Sequence, residues 1–322
     1  MAWLAAERRK IDLGTWCRVA AVGQSRGLTV HGYADRWWSE TVSRHKPRTR
    51  VLHRGYLDNV ILPGLGDRSL SGLTVGEVRA WYAGLEDFPA RNANAYSLLR
   101  TILNQAVDDE LIAANPCRVK RAAVKTRVVE PVALSAAQVR RLADAMPQQW
   151  RALVLVAGFS GLRFGELTAL RRRDLSLGGP EVVVTVARAV VRVSGEFIVG
   201  APKSRAALRT VPLPDALGPV LAAHITRFGC VGRDGLVFPA ASGGFLNRDT
   251  VKDAFRKASA EIGCPGLRFH DLRHSAATLF AQAGATLADH MTLMGHTSPA
   301  MSARYTHSTA TRTRQLAQRI WA

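Results

Sequence analysis

Residues 268–275 read RFHDLRHS, and four ionisable side chains, His270, Asp271, Arg273 and His274, fall within five positions. An apolar run, AATLF, follows at once. A solvated helix face has no need of two histidines around one arginine, and a buried face would not carry them without partners. His270 and Arg273 stand at i and i+3, so on a helix they share a face. Leu272, Ala276, Leu279, Phe280 and Ala283 form the opposite, core-seeking stripe, and Gly284 is a natural stop. Such a helix is anchored on one side and presents His270 and Arg273 on another. Arginine is always charged and its planar donors fit two oxygens of a phosphate. Histidine exchanges a proton near neutral pH. A polar helix start with satisfied side chains is the plainer reading. His270 and His274 also have the i, i+4 spacing of zinc helices. Against zinc, Asp271 stands where such helices carry Glu, and Arg273 would set a cation beside a dication.

Two flanking segments bear on the choice. Upstream, SGLRFGEL sets Arg163 between a glycine-containing turn and a short helix. The helix dipole disfavours a cation there unless an anion is close, either Glu166 or a bound phosphate. Downstream, in LMGHTSP, Gly295 can end one helix while Ser298 and Pro299 begin the next as N-cap and first residue. His296 lies in that joint, and Tyr305 follows in ARYTH, where a lone tyrosine would most simply be core.

The chain has 322 residues, which suggests about two domains. Its apolar fraction of 47 % supports a sizeable core. Lys and Arg number 44 against 25 Asp and Glu, and the net charge of +19 makes a polyanion the leading partner. No segment approaches the roughly 18 apolar residues of a membrane span, and MAWLAAERRK is charged too soon for a secretory signal. Cys17, Cys117, Cys230 and Cys264 are scattered without a CxxC pair, so a reducing cytoplasm is expected.

The elements that would carry these residues divide the chain. Residues 1–27 are a short, mixed, basic segment. Residues 28–116 read as a helical domain of about four helices. The first has Tyr33, Trp37 and Trp38 on a buried stripe; the second runs from Pro47 to ILPGLG, where Pro and Gly end it. The third opens at the capping box Thr74–Glu77. The fourth aligns Tyr96, Leu99, Leu103 and Val107 and stops at Asn115–Pro116. Residues 117–133 carry five Lys or Arg and read as a basic linker. A second capping box, Ser135–Gln138, opens the region 134–322. Helices follow to about Leu170. Valine-rich strands with a turn at Ser194–Gly195 come next, then helix again after Asp215. The fold class expected is mainly α with one small antiparallel β-sheet (α+β).

Taken together, GLRFGEL, HDLRHS, LMGH and the tyrosine of ARYTH, in that order, resemble the tyrosine recombinase (phage integrase) family over about residues 28–322. ILPGLGDR, LLRTILNQAVDDELIAANPCR and LRFHDLRH look most like integrases of actinobacterial temperate phages and prophages. The resemblance implies a 3′-phosphotyrosyl mechanism. Tyr305 would be the nucleophile, Arg163 and Arg273 would hold the non-bridging phosphate oxygens, His270 would act in proton transfer, and His296 would hydrogen-bond the phosphate. Lys203, in PKSRAALRTVPLP, matches the family's β-hairpin lysine, the acid for the leaving 5′-oxygen. Neither cofactor nor metal is implied, and ATP and a ligase are not required. Glu166, Asp271, His274 and His307 receive no catalytic role; the two acids would support helix termini.

The resemblance further implies a C-shaped clamp on double-stranded DNA. A core-type DNA-binding domain (28–116) would grip one side and the catalytic domain (134–322) the other. Four protomers would meet at a synapse, with an excision or host DNA-bending factor as a further partner. The tail HSTATRTRQLAQRIWA would dock on a neighbouring protomer or pack in cis. Many phage integrases carry an N-terminal arm-binding domain; residues 1–27 are short for one, although RRKIDLGTW resembles the end of such a region. Either the chain starts late or it is a simpler integrase; the expectation is recombination at core sites without arm binding. Three alternatives share parts of the pattern: a host or transposon recombinase, a type IB topoisomerase-like activity, and a non-catalytic DNA-binding prophage relic.

Overall fold

The computed structural model describes Arg8 and residues 27–124, 131–179, 181–201, 208–295, 297–299 and 302. The chain divides into two compact units, Met1–Val128 and Val129–Ala322. Among the described residues no helix is long and apolar enough to cross a membrane.

The first unit is helical. Helix α1 (Val30–Thr41) is capped by Thr29, whose hydroxyl accepts from the Gly32 amide, and it buries Tyr33 and Trp37; Trp38 is half-buried. Helix α2 (Pro47–Tyr56) runs into a π-helical stretch, Leu57–Ile61, and on into α3 (Leu62–Leu65). Pro63 thus passes within the helical run instead of ending it. It lacks the N–H for an ordinary turn, and the wider π turns come just before it. The expected capping box opens α4 (Val75–Ala83), with Thr74 and Glu77 bonding reciprocally. Helix α5 (Pro89–Asp108) buries Tyr96, Leu99 and Leu103 as the periodicity predicts, but it stops well short of Asn115. Asp108, Asp109 and Glu110 crowd the negative end of the helix dipole. Glu110 turns left-handed (φ 58°), and the amides of Leu111 and Ile112 fold back onto the Ala106 carbonyl. Cys117 and Ala122, within the stretch read as linker, are buried in this unit's core. The Val119 amide donates to the Tyr96 hydroxyl at 2.8 Å.

In the second unit the Ser135–Gln138 box opens α6 (Ala136–Asp144). Helix α7 (Gln148–Ser160) is buried along most of its length and packs on α6. Its Gly158 meets Val139 so closely that a Cβ would lie 2.4 Å from that side chain. A short α8 (Phe164–Leu167) follows. Among the described residues the strands form two sheets rather than the one expected. β1 (Leu175–Ser176), β2 (Val182–Val186) and β5 (Arg209–Leu213) make an antiparallel sheet in the order β1-β2-β5, with Val184 opposite Val211. β3 (Ala189–Val193) and β4 (Glu196–Gly200) form a separate hairpin. Its two-residue turn holds Ser194 at φ 50° and Gly195 at φ 92°, the left-handed pair that matches strand twist. Val182, Val184 and Val186 of β2 and Val211 of β5 face the core, whereas among the described residues β3 and β4 pair only with each other.

Helices α9 (Leu217–Phe228), α10 (Arg248–Glu261), α11 (Asp271–Gln282) and α12 (Leu287–Met294) follow the strands. The common core joins Leu142, Leu153, Val184, Val211, Phe255 and Leu272. The architecture is mainly helical with small antiparallel sheets.

Candidate functional site

Three helix junctions build the site. The first is the end of α7. Gly161 adopts the left-handed conformation (φ 67°) that stops the helix, and Arg163 becomes the N-cap of α8. The anion the dipole calls for is Glu166. Its carboxylate accepts from the Arg163 amide and from Arg163 Nη1, both at 2.9 Å. Arg163 stays one-third exposed while Glu166 is 2 % exposed. Gly165 allows α8 to lie directly on β3: a Cβ there would sit 2.3 Å from the Val190 carbonyl oxygen.

The second junction is the start of α11. His270 occupies the N-cap position, and Asp271 accepts from the Arg268 amide at 2.9 Å and from Arg268 Nη2 at 2.8 Å. Asp271 and Glu166 therefore both support helix starts. The expected outward presentation of Arg273 is not what occurs. Arg273 is 6 % exposed, whereas Leu279 and Phe280 are only half-buried and Ala283 is exposed. The helix is enclosed on the side of its polar residues because Arg273 finds partners there. Its Nη1 donates to the Gly161 carbonyl and its Nη2 to the Met294 carbonyl.

The third junction is the end of α12, where Gly295 is left-handed (φ 60°) as its position suggested. Arg273 thus lies between the carboxyl ends of α7 and α12, where unpaired carbonyls and the dipoles favour a cation. Arg209, at the start of β5, binds the same junction. It donates to the Leu293 carbonyl at 2.8 Å and to Glu166 at 3.0 Å.

Phe164 and Phe269 lock the first two junctions together, ring centroids 5.1 Å apart and edge to face. Each phenylalanine is the chain neighbour of a candidate residue, Arg163 or His270. The Ser275 hydroxyl bonds the Asp271 carbonyl and accepts from the Leu134 amide, fastening the entry of the unit to α11.

The electrostatics are cationic. Burial pushes the His270 imidazole down to about 4, helped by the charges of His274, Arg273 and Arg248 and opposed by Asp271. His270 is therefore neutral at physiological pH. Burial pushes the Glu166 carboxyl up, but the charge and hydrogen bond of Arg209, then Arg163, outweigh it and hold the group below the usual carboxylate range.

Of the residues read from the sequence, Arg163, His270 and Arg273 come together at these junctions. Lys203, His296, Tyr305 and His307 lie outside the described residues. Sequence reasoning missed Arg209 and the Phe164–Phe269 pair. The only signal for the pair was that each phenylalanine adjoins a candidate residue; Arg209 had none, being an arginine at the start of a strand.

Comparison with known proteins bears on what the arrangement is for. The model of the Phage integrase family matches residues 133–312, more than half of the chain. A Mycobacterium tuberculosis protein named for the phiRv2 prophage integrase is 39 % identical, over 98 % of this chain and 84 % of its own. The integrase of Mycobacterium phage FRAT1 is 34 % identical over 99 % of this chain and 96 % of its own. The fold is shared with the Tn1549 transposon integrase solved with transposon right end DNA (TM-score 0.76, 19 % identity, 92 % of this chain and all of that one). It is shared also with the lambda integrase dimer bound to a core site (TM-score 0.63, 21 % identity, 94 % of this chain and 85 % of that one). The chain belongs to the phage integrase family of tyrosine recombinases, enzymes that carry out site-specific DNA strand exchange.

Proposed function

We propose that the chain is the integrase of a temperate phage or prophage, acting on double-stranded DNA at attachment core sites through a covalent link to Tyr305. Residues 28–116 are the core-type DNA-binding domain and 134–322 the catalytic domain; the basic stretch 117–133 joins them, its Cys117 and Ala122 buried in the core of the first. The observation that carries the reading is that Arg273 holds the carbonyls of Gly161, two residues before Arg163, and of Met294, at the end of α12. The net charge of +19 and the mycobacterial integrases support it.

The chemistry follows from the residue types. The Tyr305 oxygen attacks the scissile phosphorus, a new P–O bond forms to the tyrosine, and the bond to the 5′-oxygen breaks. Lys203 protonates that leaving oxygen. Arg163 and Arg273 stabilise the charge that builds on the non-bridging oxygens, and His296 donates a hydrogen bond to them. His270, neutral before DNA arrives, can take the phenol proton. The phosphotyrosine conserves the energy of the broken bond, so a 5′-hydroxyl from the partner duplex reverses the step and frees Tyr305. Four protomers at a synapse of two duplexes would complete the exchange, with the terminal tail docking between neighbours or packing in cis.

The test is product analysis. Purified protein is incubated with two duplexes bearing the candidate attachment cores. Recombinant joints are the expected result. Relaxation of supercoiled plasmid without joints would point to a topoisomerase instead.

A further inference from the structure

Arg209 is 8 % exposed, and the Glu166 carboxylate beside it is 2 % exposed. A buried carboxylate needs compensation. Here two arginines supply it. Glu166 Oε1 takes Arg163 Nη1, while Oε2 takes the Arg163 amide and Arg209 Nη2. Two guanidinium groups and one carboxylate leave a net charge of +1. Without Arg209 the remaining pair would be neutral, and the positive charge of Arg163 would be cancelled by its own neighbour. The interaction with Arg209 also outweighs that with Arg163 in keeping Glu166 ionised.

The second grip is geometric. Arg209 Nε donates to the Leu293 carbonyl and Arg273 Nη2 to the Met294 carbonyl. These are consecutive orphan carbonyls at the end of α12. Gly295 follows them, and then His296. One side chain thus connects the Arg163 junction with the segment leading into His296.

We propose that Arg209 is a positioning residue of the recombination reaction: it neutralises Glu166 so that Arg163 keeps its charge for the scissile phosphate, and it fixes the carbonyl end of α12 ahead of His296. The proposal rests on the phosphotyrosyl reading above. Arg209 itself does not touch the DNA.

The experiment measures single-turnover cleavage of a nicked suicide duplex by the full chain, with duplex affinity and thermal melting in parallel. The variants are Arg209→Met, Arg209→Lys and Glu166→Gln/Arg209→Met. Arg209→Met is expected to cleave about 10²–10³-fold more slowly at unchanged duplex affinity. The double variant removes the carboxylate as well as its neutraliser, so it is expected to be faster than the single one. On a duplex whose scissile phosphate is a neutral methylphosphonate, the deficit of Arg209→Met should shrink to within about tenfold, because less charge then develops. A purely structural role would give equal deficits on both duplexes. Arg209→Lys keeps the charge beside Glu166 but gives up the Leu293 bond, so it is expected about tenfold below wild type, which decides the matter should Arg209→Met fail to fold. Wild-type cleavage by Arg209→Met, a double variant no faster than the single, or a hundredfold loss in Arg209→Lys would overturn the proposal. No adduct with wild type would instead overturn the phosphotyrosyl reading on which it rests.

Discussion

Arg273 reaches back 112 positions to hold the carbonyl of Gly161, the residue that ends α7 two places before Arg163. Its other terminal nitrogen holds Met294, at the end of α12. A buried guanidinium in the first turn of α11 is thereby explained: it closes two helix ends whose carbonyls have lost their intrahelical donors. The fork fixes the plane of the group, and a fixed plane is what a charge clamp on phosphate needs.

Arg273→Lys keeps the charge but loses the fork. Leaving buried carbonyls unpaired should lower unfolding stability by roughly 1–3 kcal/mol, read by denaturant titration. DNA cleavage should fall by about 10²–10³-fold. A variant of wild-type stability would show that the two carbonyl bonds are dispensable.

Gly165 is the point where α8 meets β3. Gly165→Ala would drive a Cβ into the Val190 carbonyl, which is backbone and cannot swing aside. We expect a loss of about 1–3 kcal/mol and slower cleavage, because Arg163 sits at the start of the displaced helix. Thermal melting and cleavage rates check both. An unchanged melting temperature would mean that the close approach does not hold in solution.

The edge-to-face pair Phe164–Phe269 should show coupling. A double-mutant cycle with Phe164→Leu and Phe269→Leu is expected to return about 0.5–1.5 kcal/mol of interaction. Strict additivity would indicate that the pair does not tie Arg163 to His270.

Acid should weaken the fold in two stages. His270 is depressed to about 4, and His53, His224 and His290 are lowered as well, burial being the first cause in each. In the window between about 4 and the unfolded value near 6.5, the folded state binds fewer protons than the unfolded one. Stability therefore falls as pH drops through that window. Glu166 is depressed too, so its contribution is present above the unfolded carboxylate value and is lost as pH falls through the folded one. Denaturant midpoints measured from pH 7 to 4 should fall, and His270→Gln should flatten the slope. An equal slope in that variant would remove His270 from the explanation.

Local chemistry made much of the fold legible. The capping boxes at Thr74 and Ser135, the Ser194–Gly195 turn, the glycine-containing turn before Arg163 and the glycine stop at Gly295 depend on a few adjacent residues, and the structure contains them. Where long-range packing decides, the sequence was silent or misleading. The end of α5 depends on a fold-back of Leu111 and Ile112 onto Ala106, and the burial of Arg273 depends on carbonyls far away in the chain. Splitting the strands into two sheets turns on which edges find partners. Arg209 could not be found because its meaning lies in Glu166 and Leu293, 43 and 84 positions distant. The motif order identified the family because catalytic residue types are constrained singly, whatever the intervening packing.

The most direct test of the proposed chemistry is covalent trapping. Wild type and Tyr305→Phe would be incubated with a nicked suicide duplex of the attachment core, in EDTA and without ATP, and resolved on denaturing gels. A protein–DNA adduct with wild type that is absent with Tyr305→Phe is the expected result. An adduct that persists in Tyr305→Phe, or salt-sensitive binding of the same duplex by wild type without any adduct, would contradict it.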